Sequence, residues 1–451
     1  MNNITKGSPI GKIIRFSIPL MIGNFFQLVY NMVDTFIVGR TLGVDALAGI
    51  GMSGSLMFFI IGFAQGFTSG TAIPVAQAFG AEDYPKIRRS VALNIYLVLI
   101  ISIILTILST FYLKDILEFL KTPQEIIQYS YDYMIIIFSG MIVVVLFNMV
   151  SNLLRAIGNS RTPVVALAIT TITNIILDYL FIVYFNMGVA GAAYATVSAQ
   201  LIAVIICIYV IHKHVPELQV RLNDFKIVGE EFLHHCRLGF PMGFQASIIA
   251  VGSVSVTIAL NTLGPGAVAG YSAASKIDQI IILVLMSFGI AMATYVGQNF
   301  GAKEFHRIII GVRQTTYVSL AVAILSGIIL WFLGGPLTAL FGDAGSQDVL
   351  HAYGKEFFQL TVPFYGLLAI LFIYRNTLQG LNNSFIPTIA GILELIMRVL
   401  AAFVLTEYIG FAGTVISNPM AWLGALLALV PAYYKYRQKL VLAEETGEFT
   451  T

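Results

Sequence analysis

The sequence predicts an all-α membrane protein, with twelve transmembrane helices forming two homologous six-helix bundles around a central cleft. Three observations carry this reading: an apolar composition, twelve runs long enough to cross a bilayer, and an internal repeat that halves the chain. Of 451 residues, 58% are hydrophobic and 11% are charged, against about 25% charged in an ordinary soluble domain. A soluble core does not absorb that excess, and lipid is the solvent it fits. The net charge of +2 gives no global pull toward nucleic acid.

A helix needs roughly 20 apolar residues to cross a bilayer. Such runs lie near 14–38, 47–78, 90–113, 130–153, 163–185, 190–211, 238–261, 267–298, 310–334, 356–378, 386–408 and 411–434. The second and eighth are long enough to tilt or to protrude at one end. The first follows a short basic N-terminus (Lys6, Lys12, Arg15) and exceeds a signal-peptide core, so it reads as a retained span. The positive-inside rule sets the orientation. With the N-terminus cytoplasmic, Arg40, Lys114, Lys121 and Lys355 fall outside, Lys276 and Arg398 fall within spans, and the other nineteen of the 25 fall inside. Both termini are then cytoplasmic.

The repeat is visible in four places. TLGVDALAG at 41–49 returns as TLGPGAVAG at 262–270, and AQAFGAEDYPKI at 76–87 as GQNFGAKEFHRI at 297–308, both offset by 221. GNSRTP at 158–163 returns as NNSFIP at 382–387, and GVAGAA at 188–193 as GFAGTV at 410–415. Pro19 and Pro241 also correspond. The chain therefore divides into an N-terminal lobe at 1–211, a cytoplasmic linker at 212–237, a C-terminal lobe at 238–435 and a cytoplasmic tail at 436–451. Six helices per half make the repeats parallel, an arrangement suited to alternating access.

A charge inside a span costs several kcal/mol and marks a functional position by default. Six stand out: Asp34, Asp178, Lys276, Asp278, Glu394 and Arg398. Asp34 lies about 8 Å, and Asp178 about 10 Å, below the outer ends of their outward-running spans at 1.5 Å per residue. Asn174 shares a helix face with Asp178, and the hairpin near Met187 brings Thr196 level with it. Two carboxylates, an amide oxygen and a hydroxyl suit a hard cation, and two close carboxylates in a low dielectric suit a shared proton. The same four residues also read as a polar pin between three spans. Lys276 and Asp278 are two apart, so they face different ways, and each is expected to find another partner. Glu394 precedes Arg398 by four, the favourable order for an intrahelical ion pair that holds its span in place.

These motifs resemble the multidrug and toxic compound extrusion (MATE) family, through NMVDTFIVGRTLG, the FGAED and FGAKE loops, RAIGNSRTP, and NIILDYLFIVYFNMGVAGAAYAT. The resemblance covers nearly the whole chain and is greatest to the bacterial multidrug branches. It implies a secondary antiporter of the inner membrane that works as a monomer. Such an antiporter exports small cationic or amphipathic compounds in exchange for H+ or Na+ and uses no cofactor. It also implies that residues matching Asp34, Asn174, Asp178 and Thr196 hold the coupling cation. Family members use acidic C-lobe residues for substrate or a second ion. The helix that usually bears them has no carboxylate here, which leaves Lys276 and Asp278 as the possible C-lobe site.

Other readings are weaker. A flippase for a lipid-linked sugar shares the fold, but tends to need an intramembrane cationic cluster for pyrophosphate. A membrane-embedded enzyme needs a paired nucleophile and base or a metal motif, and the spans hold no HExxH, no GxSxG and no His. No P-loop is present, which argues against ATP as the energy source. Gly62, Gly66 and Gly70 form overlapping GxxxG units for close helix packing. Phe25, Phe26, Tyr30, Phe58, Phe59, Phe63 and Phe67 face lipid, core or an apolar cleft. His234, His235 and Cys236 read as part of a solvated loop, and neither they nor Cys207 suggest a metal or a disulfide.

Overall fold

The structure, a computed structural model, describes residues 4–119, 122–342 and 345–449. Lys121, assigned to the outside by the charge count, lies outside the described residues. The described residues are almost wholly helical and contain no strand. The first half comprises α1 (Pro9–Leu42), α2 (Val44–Thr71), α3 (Ile73–Gly80), α4 (Tyr84–Phe111), α5 (Leu113–Phe119), α6 (Gln124–Ser139), α7 (Met141–Ala156), α8 (Arg161–Asp178) and α9 (Gly188–His214). The second comprises α10 (Gly229–Asn261), α11 (Pro265–Gly301), α12 (Phe305–Ala339), α13 (Gln347–Thr361), α14 (Tyr365–Gly380), α15 (Phe385–Leu400), α16 (Thr406–Ile409) and α17 (Phe411–Thr446). Eleven segments are long and apolar enough to cross a membrane, or twelve with α6 and α7 taken as one span bent by 52°. That bend falls at Gly140, where a Cβ would crowd the Val197 side chain of α9.

The repeat seen in the sequence is also present in the backbone. Gly43 and Gly264 have φ of 89° and 91°, Glu82 and Lys303 of 55° and 58°, and Gly188 and Gly410 of 62° and 59°. The left-handed conformation is uncommon for a non-glycine residue. Its recurrence at Glu82 and Lys303 shows that both interhelical turns are built alike. By contacts the chain forms two compact units, Ile18–Ser247 in one and Ile4–Ser17 with Ile248–Thr451 in the other. The first is cored by an apolar cluster that includes Val38, Phe138, Met141, Val145, Leu154 and Cys207. In the second, Tyr295, Phe357, Phe358 and Tyr365 are fully buried.

α10 departs from expectation by starting at Gly229, so His234, His235 and Cys236 lie on a helix and not in a loop. Glu230 and Glu231 in its first turn complement the positive end of the helix. Arg89 holds Glu231 at 3.0 Å, and Arg88 holds Asp224 at 3.4 Å. The α2 glycines pack as their spacing implied. A Cβ at Gly66 would meet the Met242 carbonyl of α10, and one at Gly70 the Leu238 carbonyl. Phe63 and Phe67 fill the same seam against Phe240 and Phe244.

Each half ends in a helical hairpin whose first arm widens to π-helical turns, at Tyr179–Tyr184 after α8 and at Ala401–Leu405 after α15. The two arms close tightly at one repeat position. A Cβ at Gly191 would press on the Phe181 backbone, and one at Gly413 would overlap the Leu405 backbone.

Candidate functional site

In the first unit, Asp34 projects from α1 and Asp178 from the last residue of α8, at the start of the π turns. Their carboxyl groups come within hydrogen-bonding reach of each other. Asp178 and Asn174 are fully buried, while Asp34 is 8% and Thr196 7% exposed. Tyr30, one turn before Asp34, donates its hydroxyl to Thr196 Oγ1 at 2.9 Å. Tyr133 of α6, also buried, lies within range of the Thr196 hydroxyl and of both carboxyls. The structure thus gathers Asp34, Asp178 and Thr196, with Asn174 one turn below Asp178.

The hydrogen-bond accounting is unusual. Asp34 Oδ1, both oxygens of Asp178, and both the oxygen and the nitrogen of the Asn174 amide are buried with no hydrogen-bond partner among the described residues. Buried polar atoms are ordinarily bonded, and a buried charge without a partner costs far more than a neutral group. Two neighbouring carboxyl groups, three of whose four oxygens are buried without a donor among the described residues, suit a proton or a hard cation between them. The donor set is oxygen-rich, which fits a proton or Na+ and not a soft metal. Among the described residues no group of three His, Cys, Asp or Glu could hold a metal ion.

The corresponding place in the second unit has different chemistry. Counting from Pro19 and Pro241, Asp34 matches Val256 and Tyr30 matches Gly252; counting from GNSRTP and NNSFIP, Asp178 matches Ala402 and Asn174 matches Arg398; counting from GVAGAA and GFAGTV, Thr196 matches Asn418. Val256 and Ala402 pack together in one apolar cluster bordered by Tyr271. Arg398 Nη2 bonds Glu394 Oε1 at 2.9 Å, and Arg375 Nη2 bonds Glu394 Oε2 at 2.6 Å. Asn418 Nδ2 donates to Tyr271 Oη at 3.0 Å. Gly252 leaves room for the guanidinium, because a Cβ there would stand 2.9 Å from Arg398 Nη1.

The profile of the MatE family matches residues 19–180 and 241–404. The chain belongs to that family. Among curated relatives, "Probable multidrug resistance protein YpnP" of Bacillus subtilis is 26% identical, over 96% of this chain and 96% of its own. "Probable multidrug resistance protein YoeA" of the same organism is 27% identical, over 93% of this chain and 92% of its own. Among solved structures, a MATE protein in complex with MaL6 superposes with a TM-score of 0.90 at 22% identity, covering 97% of this chain and 98% of the other. That likeness shows the two-lobe, twelve-helix fold. Members of the MatE family are membrane transporters and not enzymes.

The remaining candidate residues of this MatE chain separate as follows. Asp278 on α11 accepts a 2.5 Å hydrogen bond from Tyr365 Oη, and the Lys276 ammonium stands 5.8 Å from the centre of the Phe341 ring. They do not pair with each other. Glu394 and Arg398 do pair, yet the expected two-member bridge is in fact a triad. Arg375, assigned to the inner-side cations, is 7% exposed and bound to Glu394. Sequence reading missed it because it lies five residues from the end of α14, where a cation ordinarily reaches water. Tyr133 and Tyr365 were also missed, since a tyrosine in an apolar span carries no signal of its own. Tyr30 did carry one, its spacing of four from Asp34.

Proposed function

We propose that this chain is a secondary active antiporter of the bacterial cytoplasmic membrane, working as a monomer with both termini in the cytoplasm. On this reading it exports cationic or amphipathic drugs in exchange for H+ or Na+ by alternating access. The observation that carries the reading is the buried Asp34–Asp178 pair, in which three of the four carboxyl oxygens meet no donor among the described residues. The relatives named for multidrug resistance support the cargo class. In the mechanism, Asp34 and Asp178 take the proton or Na+, Asn174 and Thr196 add neutral oxygens, and Tyr30 fixes the Thr196 hydroxyl. Occupancy removes the repulsion between the carboxylates and favours one conformation, while cargo favours the other. The two ligands are thereby linked through one equilibrium.

The test is efflux of a fluorescent organic cation from proteoliposomes, driven in turn by a pH gradient and by a Na+ gradient. Wild-type protein should respond to one of them. Asp34→Asn and Asp178→Asn should each abolish the gradient-driven component, on the order of 100-fold or more, because Asn neither titrates nor carries charge. Binding of the dye without a gradient should persist. Undiminished driven efflux in both variants, at matched expression, sinks the assignment.

A further inference from the structure

The second unit buries two guanidinium groups on one carboxylate. Arg375 of α14 and Arg398 of α15 each give Glu394 a single nitrogen, at 2.6 and 2.9 Å. The triad therefore carries one uncompensated positive charge. The Nε of both arginines is buried with no partner among the described residues, and a guanidinium is the residue group best suited to bind a carboxylate or phosphate through several N–H donors. Asp278, the nearby buried carboxylate, accepts from Tyr365 and forms no ion pair with either arginine among the described residues. Tyr271 stands within electrostatic range of Arg398 and is bonded by Asn418, so neutral polar groups border the charge. By the repeat, Arg398 occupies the position of Asn174 in the cation pocket. Arg375 and Arg398 are buried to about the same degree as Asp34 and Thr196, at 7% and 5% exposed.

We propose that Arg375 and Arg398 form a binding site for the anionic group, carboxylate or phosphate ester, of a membrane-soluble molecule. The excess charge makes the triad opposite in sign to the Asp34–Asp178 pair. Glu394 holds the two guanidiniums side by side and leaves their remaining N–H groups for the ligand. The site accounts for a cost that a purely structural bridge does not require, since one arginine satisfies one glutamate. It is independent of the coupling ion, and its test uses no gradient.

The two tryptophans, Trp331 and Trp422, both lie in the second unit. Energy transfer from them to cis-parinaric acid reads binding, and the arginine variants assign it to that unit. Purified protein in a neutral detergent should bind the acid at least about tenfold more tightly than its methyl ester, the factor expected for a charge-assisted contact. Arg375→Gln and Arg398→Gln each leave Glu394 paired with the other arginine, so both should fold. Each should bring the acid-to-ester ratio close to one, while Arg375→Lys should keep most of it. Competition by phosphatidylglycerol over phosphatidylcholine, or by hexanoate, distinguishes a lipid phosphate from a free carboxylate, and displacement by either supports the site. Equal binding of acid and ester by wild type overturns the proposal. So does an unchanged preference in both Gln variants, or a drop in thermal stability with the ratio intact.

Discussion

At matching positions of one repeated scaffold, the first unit buries Asp34 against Asp178, and the second buries Val256 against Ala402. Beside the acidic pair lie Asn174 and Tyr30, and beside the apolar pair lie Arg398 and Gly252. The first arrangement has two carboxyl groups and, among the described residues, no built-in cation. The second has its cations covalently attached and a glutamate to hold them. The hairpins, π turns and left-handed turn residues correspond, so the backbone architecture does not set the chemistry of the two places apart. The difference lies in a few side chains: an arginine stands where the first unit has Asn174 and carries a permanent positive charge.

The largest test of this contrast, after the aspartate variants, is Glu394→Leu. It strands two buried guanidiniums and should lower stability by about 3–5 kcal/mol, seen as a loss of folded yield and of melting temperature in detergent. Replacing Arg375, Glu394 and Arg398 together with leucine should recover most of that loss. If Glu394→Leu melts like wild type, the triad is not held by its carboxylate. A second test compares one glycine position in the two halves. Gly413→Ala forces a methyl group into the Leu405 backbone and should cost up to about 3 kcal/mol, while Gly191→Ala meets a slightly more open Phe181 and should cost about 1 kcal/mol. Equal melting temperatures for the two variants would show that the hairpins relax alike. The smallest effect is expected from Tyr30→Phe, which removes the donor to Thr196 and should cost about 1 kcal/mol. Where Na+ proves to be the driving ion it should also weaken driven transport, and where the proton does, driven transport should hold, because only Na+ needs the Thr196 oxygen held in place.

Much of this was legible in the residues. Asp34 and Asp178 declared themselves because a carboxylate in an apolar run has no cheap explanation. The repeat was plain because its loops keep FGA, NS and GxAG in register. Arg375 was hidden because a long side chain near a helix end ordinarily reaches water, and only its position relative to α15 shows that it points to Glu394. The π turns left no mark either, as Tyr179–Tyr184 and Ala401–Leu405 are ordinary apolar stretches. The early start of α10 was obscured by its polarity. Glu230, Glu231, His234 and His235 look like a loop until Arg89 is seen to neutralise one of them.

The π turns have a consequence for how these halves tolerate change in length. From GNSRTP to GVAGAA the first half counts 30 residues, and from NNSFIP to GFAGTV the second counts 28. In an unbroken α-helix each inserted or deleted residue rotates everything beyond it by about 100°, which would swing Thr196 or Asn418 off its face. Here the wide segment is six residues long in one half and five in the other, and both second arms still begin on a left-handed glycine. The π segments thus differ by one residue, half of the two-residue difference. Insertions confined to the stretch between Asp178 and Gly188 should be the least disruptive anywhere along this span, although it begins at the residue next to a buried carboxylate.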